Sequence, residues 1–339
     1  MNDTTKQWNE KIDAFASATA GLNIEFGKMG VCLYFFLSAD KSENKQNQHR
    51  AEKLLDEIYE QAARNTSVKS IPDLMQVGIG IDFLVKQKYV EGNVNQILGD
   101  IDNTLFQRMT SSKNPQSLTC ETPGFLSVLY YLYLRLKRLN PTGDHRFLME
   151  ELTIKAFNEV YVSLSSAFYD EPVLFDLGYK LPPFLYVLSK IHSLGFYNYR
   201  INEVIKEIAG LIRSRIPALH ANRLYLLWGL THLKQATAYP FWDEQINLIS
   251  RNICVQKIIE QELRNKQVFI KDGVAGIYLL LAALEQVGCQ IPFEPKALQK
   301  RIYDSDIWKE NEQPPLNFVG GMSGLLWVDH LINQRINAL

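Results

Sequence analysis

Seven nearly continuous apolar stretches run along this chain, separated by segments whose apolar residues fall on one side only. The first is VCLYFFL, opened by Gly27-Lys-Met-Gly30. The second lies in IPDLMQVGIGIDFLVKQ, with Gly78 and Gly80, and the third in ETPGFLSVLYYLYLRL, with Gly124 as second glycine and Glu121 where the first would stand. The fourth, FDLGYKLPPFLYVLSKI, carries Pro182 and Pro183 in its first turn, where a missing amide costs nothing. The fifth, NRLYLLWGLTHL, keeps only Gly229. The sixth and seventh, DGVAGIYLLLAAL and FVGGMSGLLWVDHLI, restore the pair as Gly273/Gly276 and Gly321/Gly324. A helix apolar on all sides is buried on all sides. Glycines at its start give a tight turn and let a neighbouring backbone approach closely.

The intervening segments read as amphipathic helices. In AEKLLDEIYEQAA, Leu54, Leu55, Ile58, Tyr59 and Ala62 share one face at helical spacing. The same half-apolar character marks Lys6 to Ala18, NVNQILGDIDNTLFQRM, Asp144 to Phe168, Arg200 to Arg213, Trp242 to Glu262 and Pro295 to Tyr303. From Gly30 through Gly80, Gly124 and Gly276 to Gly324 the steps are about 50, 44, 152 and 48 positions, the long one spanning roughly three units. No stretch shows sustained strand alternation with hairpin turns, so the expected fold is all-α. An open solenoid leaves one side of every helix near water, which does not suit fully apolar helices. A closed α/α toroid does: a double ring of seven inner and seven outer helices, expected as one domain over residues 1–339 because no Gly-, Pro- or Ser-rich linker interrupts it.

Composition narrows the functional classes. Hydrophobic residues make up 46% of the 339, enough for a sizeable core, and 36 basic against 37 acidic residues leave a formal charge of -1. A neutral chain carries no electrostatic footprint for nucleic acid or an anionic membrane. The amino terminus has no basic and apolar signal pattern and no run reaches the length of a membrane span, so a soluble cytoplasmic protein is expected. Cys32, Cys120, Cys254 and Cys289 lie far apart, each beside apolar residues, and read as small core hydrophobes.

The periodic Gly-x-x-Gly helix starts in an all-α chain of this size resemble the lanthionine synthetase C-like family, most strongly at residues 21–38 and 266–330. That resemblance implies the α/α toroid, and a chemistry in which zinc held by two cysteines and a histidine delivers a cysteine thiolate to a dehydroamino acid in a peptide. Zinc would serve by deprotonating the thiol near neutral pH. This chain departs at the ligand positions. The family's Cys-His-Gly matches Lys271-Asp272-Gly273; its Arg-x-x-x-Cys-Tyr-Gly matches Arg223 through Leu227-Trp228-Gly229; and its His-Gly-x-Pro-Gly matches Tyr179-Lys180-Leu181-Pro182-Pro183. None of the three zinc ligands stands there, and zinc needs nitrogen and sulfur donors. Neither a metal nor another cofactor is expected, and zinc-dependent cyclase activity is not.

What remains at the expected ring mouth is Arg223, Lys271, Asp272, Tyr179, Trp228 and Trp327. Helix starts bear exposed amides and partial positive charge, so such a mouth attracts carboxylates or phosphates. One reading is a pocket for an anionic or peptide ligand with aromatic walls; the other is an Arg/Lys to Asp ion pair that closes the ring. Asp82, Glu121, Asp176, Asp272 and Asp329 are carboxylates near helix starts or in apolar helices, two of which facing one cavity would serve as acid and base; otherwise they are caps and solvated loops. Asp329 and His330 inside LLWVDHLI read as a core pair rather than a dyad, and His192, His220 and His232 as structural. No Ser-His-Asp order, phosphate loop or dinucleotide fingerprint is present. The resemblance therefore implies a non-canonical or inactive homologue that binds a ribosomally made peptide, or a peptide-modifying enzyme, in a lanthipeptide-type maturation system. The alternative is a metal-free enzyme, either a carboxylate-based hydrolase such as a glycosidase or a zinc-independent cyclase.

Overall fold

The computed structural model describes residues 3–40, 45–64, 70–111, 117–237, 239, 241–309 and 312–338. Among the described residues there is no strand, and fourteen helices of nine residues or more alternate in kind. The apolar ones are α2 (Lys28–Asp40), α4 (Ile71–Lys86), α6 (Phe125–Arg138), α8 (Leu181–His192), α10 (His220–Ala236), α12 (Val274–Gln286) and α14 (Met322–Ala338). The amphipathic ones are α1 (Asp3–Ala18), α3 (Lys45–Arg64), α5 (Gly99–Thr110), α7 (Asp144–Val162), α9 (Asn198–Ser214), α11 (Phe241–Arg251) and α13 (Pro295–Tyr303). The described part of the Asp40 to His49 polar tract includes the first turn of α3; positions 41–44 lie outside the described residues.

Burial follows the alternation. In α2 every residue from Lys28 to Phe36 is buried, whereas in α3 burial is confined to one face marked by Ala51, Leu54 and Ile58. Each fully buried large apolar side chain, Phe35, Phe157 and Phe184 among them, contributes about 1.5–3 kcal/mol relative to exposure. The described residues group into two compact units, residues 1–164 with 316–318 and residues 165–315 with 319–339.

Three amphipathic segments differ from expectation: the helix expected over Asp144 to Phe168 ends at Val162, NVNQILGDIDNTLFQRM forms a short turn over Val94–Ile97 before α5, and the third is interrupted. The segment Trp242 to Glu262 is not one helix: α11 ends at Arg251, and a helical turn resumes at Val255 and passes into π-helical geometry over Ile258–Glu262. At the break the Asn252 carbonyl accepts from Arg223 Nη1 at 2.9 Å.

Three of the seven apolar helices, α2, α12 and α14, start in a shared way. In α2 the amides of Lys28 and Met29 donate to Gly21 O and Leu22 O at 2.9 and 3.3 Å. In α12 those of Val274, Ala275 and Gly276 donate to Gln267 O, Val268 O and Phe269 O, and in α14 Met322 N donates to Pro315 O at 2.8 Å. Every partner lies seven positions back, so the preceding loop curls over the first turn. The paired glycines make that possible. A Cβ on Gly30 would sit 2.1 Å from Ile24 O, and one on Gly276 would sit 2.1 Å from Ile270 O, both six positions back. Gly27 and Gly273 meet Gly21 O and Gln267 O in the same manner. Elsewhere the glycines admit side chains: Gly78 the Tyr131 ring, Gly80 Met29, while Gly229 admits the Pro182 backbone. Gly124 adopts left-handed φ at 73° directly before α6, and Gly321 and Gly324 are buried at the start of α14.

Candidate functional site

Helix starts are the natural anion sites of an all-α protein, but here their amides are spent. Besides the loop-capped starts of α2, α12 and α14, Ser70 Oγ accepts from Asp73 N at α4, and α8 opens with two prolines. At α10 the Glu262 carboxylate, presented by the π-helical turn, accepts from His220 N and Ala221 N at 2.7 and 2.9 Å. The expectation of bare amides that gather carboxylates or phosphates is thereby corrected for these helices. Orphan amides need a partner, and the chain supplies its own.

Arg223 likewise faces inward on its own loop. Its guanidinium donates to Pro217 O, Ala218 O and Asn252 O at 2.7, 2.9 and 2.9 Å, which pins the approach to α10. Asp272 sits half-buried immediately before α12, with Oδ1 buried and without a hydrogen-bond partner. Burial raises its carboxyl above the ordinary range, and the neighbouring Asp176 adds to the effect while Lys271 opposes it. Two backbone bonds bring these residues together: Leu177 N donates to Lys271 O at 2.8 Å, and Lys271 N to Val319 O at 2.8 Å. Asp176 itself accepts from Gly178 N at 2.5 Å.

From that carboxylate pair an aromatic stripe runs along α8 and α10. Tyr179 lies edge-on to Tyr225 at 6.4 Å between centroids. Tyr225 stacks on Trp228 at 5.8 Å, and Trp228 on Tyr186 at 4.8 Å with only 21° between planes. His232 closes the stripe, edge-on to Tyr186 at 4.8 Å and to Trp228 at 5.4 Å, and Lys190 Nζ sits 4.8 Å over the Tyr186 ring. The geometry comes from spacing: 225, 228 and 232 share one face of α10, and 186 and 190 one face of α8. Tyr179 and Tyr225 are buried, whereas Tyr186, Lys190, Trp228 and His232 are half-buried. Burial pushes both buried phenols up, with Asp176 reinforcing this at Tyr225 and Glu171 at Tyr179. It pushes the His232 imidazole down to about 4, helped by Lys190. His232 Nδ1 is buried and has no hydrogen-bond partner. Sequence reading named Tyr179 and Trp228 but treated His232 as an isolated structural histidine and left Tyr186 and Lys190 out; the i, i+3, i+7 spacing on α10 was the available signal. Trp327 is half-buried on α14.

The other candidates have structural partners. Asp82 accepts from Arg138 Nε at 2.6 Å, and Glu121 is exposed. Asp329 accepts from Tyr303 Oη at 2.9 Å and Asn333 Nδ2 at 3.2 Å, and His330 beside it is exposed rather than in the core. His192 Nε2 meets Asn202 Oδ1 at 3.0 Å, and His220 Nδ1 lies 2.9 Å from Asn252 O. Cys32 and Cys120 are buried, but Cys254 and Cys289 are only half-buried, which the reading of four core thiols overstated. Burial raises the thiols of Cys32 and Cys289, which keeps them unreactive.

A polar network that the sequence reading missed lies in the first unit. Asp102, 1% exposed, receives Arg135 Nε at 2.9 Å and Nη2 at 2.8 Å, and the Tyr131 hydroxyl at 2.6 Å. His145 Nε2 lies 3.2 Å from the same carboxylate, and Arg135 Nη1 donates to Asn95. An arginine inside the apolar run LYYLYLRL, four positions after Tyr131, was its only trace in sequence.

The positions where the resemblance would place zinc hold Leu227, fully buried, with Lys271 and Asp272. This donor set does not fit a thiolate and imidazole site, and among the described residues no three His, Cys, Asp or Glu side chains converge to hold a metal ion. No described helix is long and apolar enough to cross a membrane. No family model matches the chain, and no curated protein matches it in sequence. Its structure is similar to that of nisin cyclase, with a TM-score of 0.64 at 14% sequence identity, over 99% of this chain and 96% of that one. At that identity the likeness speaks for the fold: the chain has the all-α toroid fold of the lanthionine synthetase C-like proteins.

Proposed function

We propose that this chain is a lanthionine synthetase C-like protein that works without the zinc site, as a single cytoplasmic domain that binds a ribosomally made peptide or an enzyme that modifies it. The observation that carries the reading is the half-buried aromatic stripe of Tyr186, Trp228 and His232 backed by Tyr225 and Tyr179. Rigid aromatic faces bury large area at little entropy cost, which is what anchors a peptide. Leu227, Lys271 and Asp272 offer no thiolate or imidazole ligand to hold a zinc ion that would deprotonate a substrate cysteine, so no zinc-assisted cyclisation step is assigned to them. Titration of the purified protein with a synthetic Ser/Thr/Cys-rich precursor peptide, followed by calorimetry, tests it. Trp228→Ala is expected to weaken binding by about tenfold or more, as truncating an interface anchor does; unchanged affinity, or no binding by the parent, overturns the reading. Thermal unfolding in one cooperative transition is expected of a single domain, and two separated transitions would contradict it.

A second reading has its own observation. Asp272 holds its proton above the ordinary carboxylate range beside Asp176, and a carboxylic acid beside a carboxylate is the arrangement of an acid and base pair. Turnover of chromogenic glycosides, or zinc-independent cyclisation of a dehydrated peptide, that is lost in both Asp272→Asn and Asp176→Asn would favour a metal-free enzyme.

A further inference from the structure

The stripe has opposite charge at its two ends. At one end stand Asp176 and Asp272, joined through the Leu177 to Lys271 backbone bond and close enough to Tyr225 for the Asp176 charge to act on its phenol. Lys271 tempers that end. Further acidic groups beside Tyr179 are already engaged: Asp170 with Arg215 at 2.8 Å, and Glu171 with Ala218 N and Asn222. At the other end Lys190 lies over Tyr186 beside a neutral His232. From Tyr225 to His232 the α10 face spans about 10 Å at the helical rise, which about three residues of an extended peptide cover.

We propose that this face is a directional peptide-binding stripe: it takes a segment whose basic side chain meets Asp176 and Asp272, whose aromatic or aliphatic side chains lie on Trp228 and Tyr186, and whose acidic group points toward Lys190. This rests on the peptide-binding reading and adds the substrate class and polarity. Aromatic stacking alone tolerates either direction; the charges at the two ends select one. A basic residue beside Lys190 meets like charge, while one beside Asp176 meets a half-buried carboxylate. Selection by the wrong partner's repulsion is as effective as attraction of the right one.

The test uses three synthetic capped hexapeptides on the full chain at low salt: acetyl-Lys-Gly-Phe-Phe-Gly-Glu-amide, a version with Lys and Glu exchanged, and one with both replaced by Gln. Because a bound segment can run either way along the stripe, each is also covalently placed through an N-terminal bromoacetyl group on Cys-substituted Leu177, with Gly spacers, to fix its direction. In that tethered form the orientation that brings Lys to the carboxylates is expected to protect the Trp228 fluorescence from an added quencher about three- to tenfold better than the exchanged one, the size of a partly buried charge pair. Asp176→Asn with Asp272→Asn is expected to erase the difference, and Lys190→Gln to shrink it, with far-ultraviolet dichroism showing that each variant is folded. Free hexapeptides that bind equally well regardless of charge, lose affinity equally in Trp228→Ala, and show no directional difference when tethered would overturn the polarity while leaving peptide binding in place. No binding by any of the three, free or tethered, would remove both.

Discussion

The two compact units are built from the same alternation of apolar and amphipathic helices, yet the most buried polar cluster of the first is completed differently from the carboxylate and imidazole beside the aromatic stripe of the second. In the first, Asp102, Arg135, Tyr131, His145 and Asn95 spend their hydrogen-bonding capacity on one another, and Asp82 is matched by Arg138. In the second, Asp272 Oδ1 and His232 Nδ1 are buried without partners, next to half-buried aromatic rings. A closed network specifies structure, whereas polar atoms left unsatisfied against a partly open surface are where a ligand has something to gain.

The largest effect should come from breaking the closed network. Asp102→Ala leaves the buried Arg135 guanidinium without its partner and is expected to cost about 3–5 kcal/mol in denaturant unfolding, with peptide affinity unchanged if the chain remains folded. A smaller loss is expected at the helix starts, equally in both units. Gly30→Ala and Gly276→Ala each drive a Cβ to 2.1 Å from a loop carbonyl, and about 1–3 kcal/mol is the usual cost of such overpacking; a loss in only one of the two variants would show that the shared start is not equally important in each unit. The finest probe is His232. Its folded pKa lies below the ordinary histidine value, so the unfolded chain binds more protons between about 6.5 and 4 and stability falls as pH drops through that window. His232→Gln is expected to flatten this part of the melting-temperature profile, and its imidazole resonance in the parent to titrate near 4; titration near 6.5 would place it in an ordinary solvated setting.

Much of the architecture could be read from the residues, since the helical period and the apolar character of DGVAGIYLLLAA leave few alternatives. The paired glycines announced a close backbone approach at Gly30 and Gly276. What could not be read was which backbone approaches: the carbonyls of residues 21–24 and 267–270 have no side-chain signature, so the helix starts were taken as open to anions when they are closed. The partners of Arg223 are equally silent in sequence, because all three are main-chain carbonyls. Asp102 and Arg135 come from different helices and meet only in three dimensions. The stripe was half visible, through Trp228 and Tyr179, because its remaining members required pairing one face of α8 with one face of α10.

The loop that curls over the start of α2, α12 and α14 also bears on how the chain comes together. Its carbonyls and the amides they receive are only seven positions apart, so closing that contact costs little chain entropy and waits for nothing distant in sequence. A nascent polypeptide can therefore join residues 21–22 to 28–29 early, before Asp73 and Gln76 add their bonds to Asn23 and Ile24. The same seven-residue contact recurs at 267–276, where Lys271 is bonded in addition to Leu177 and Val319.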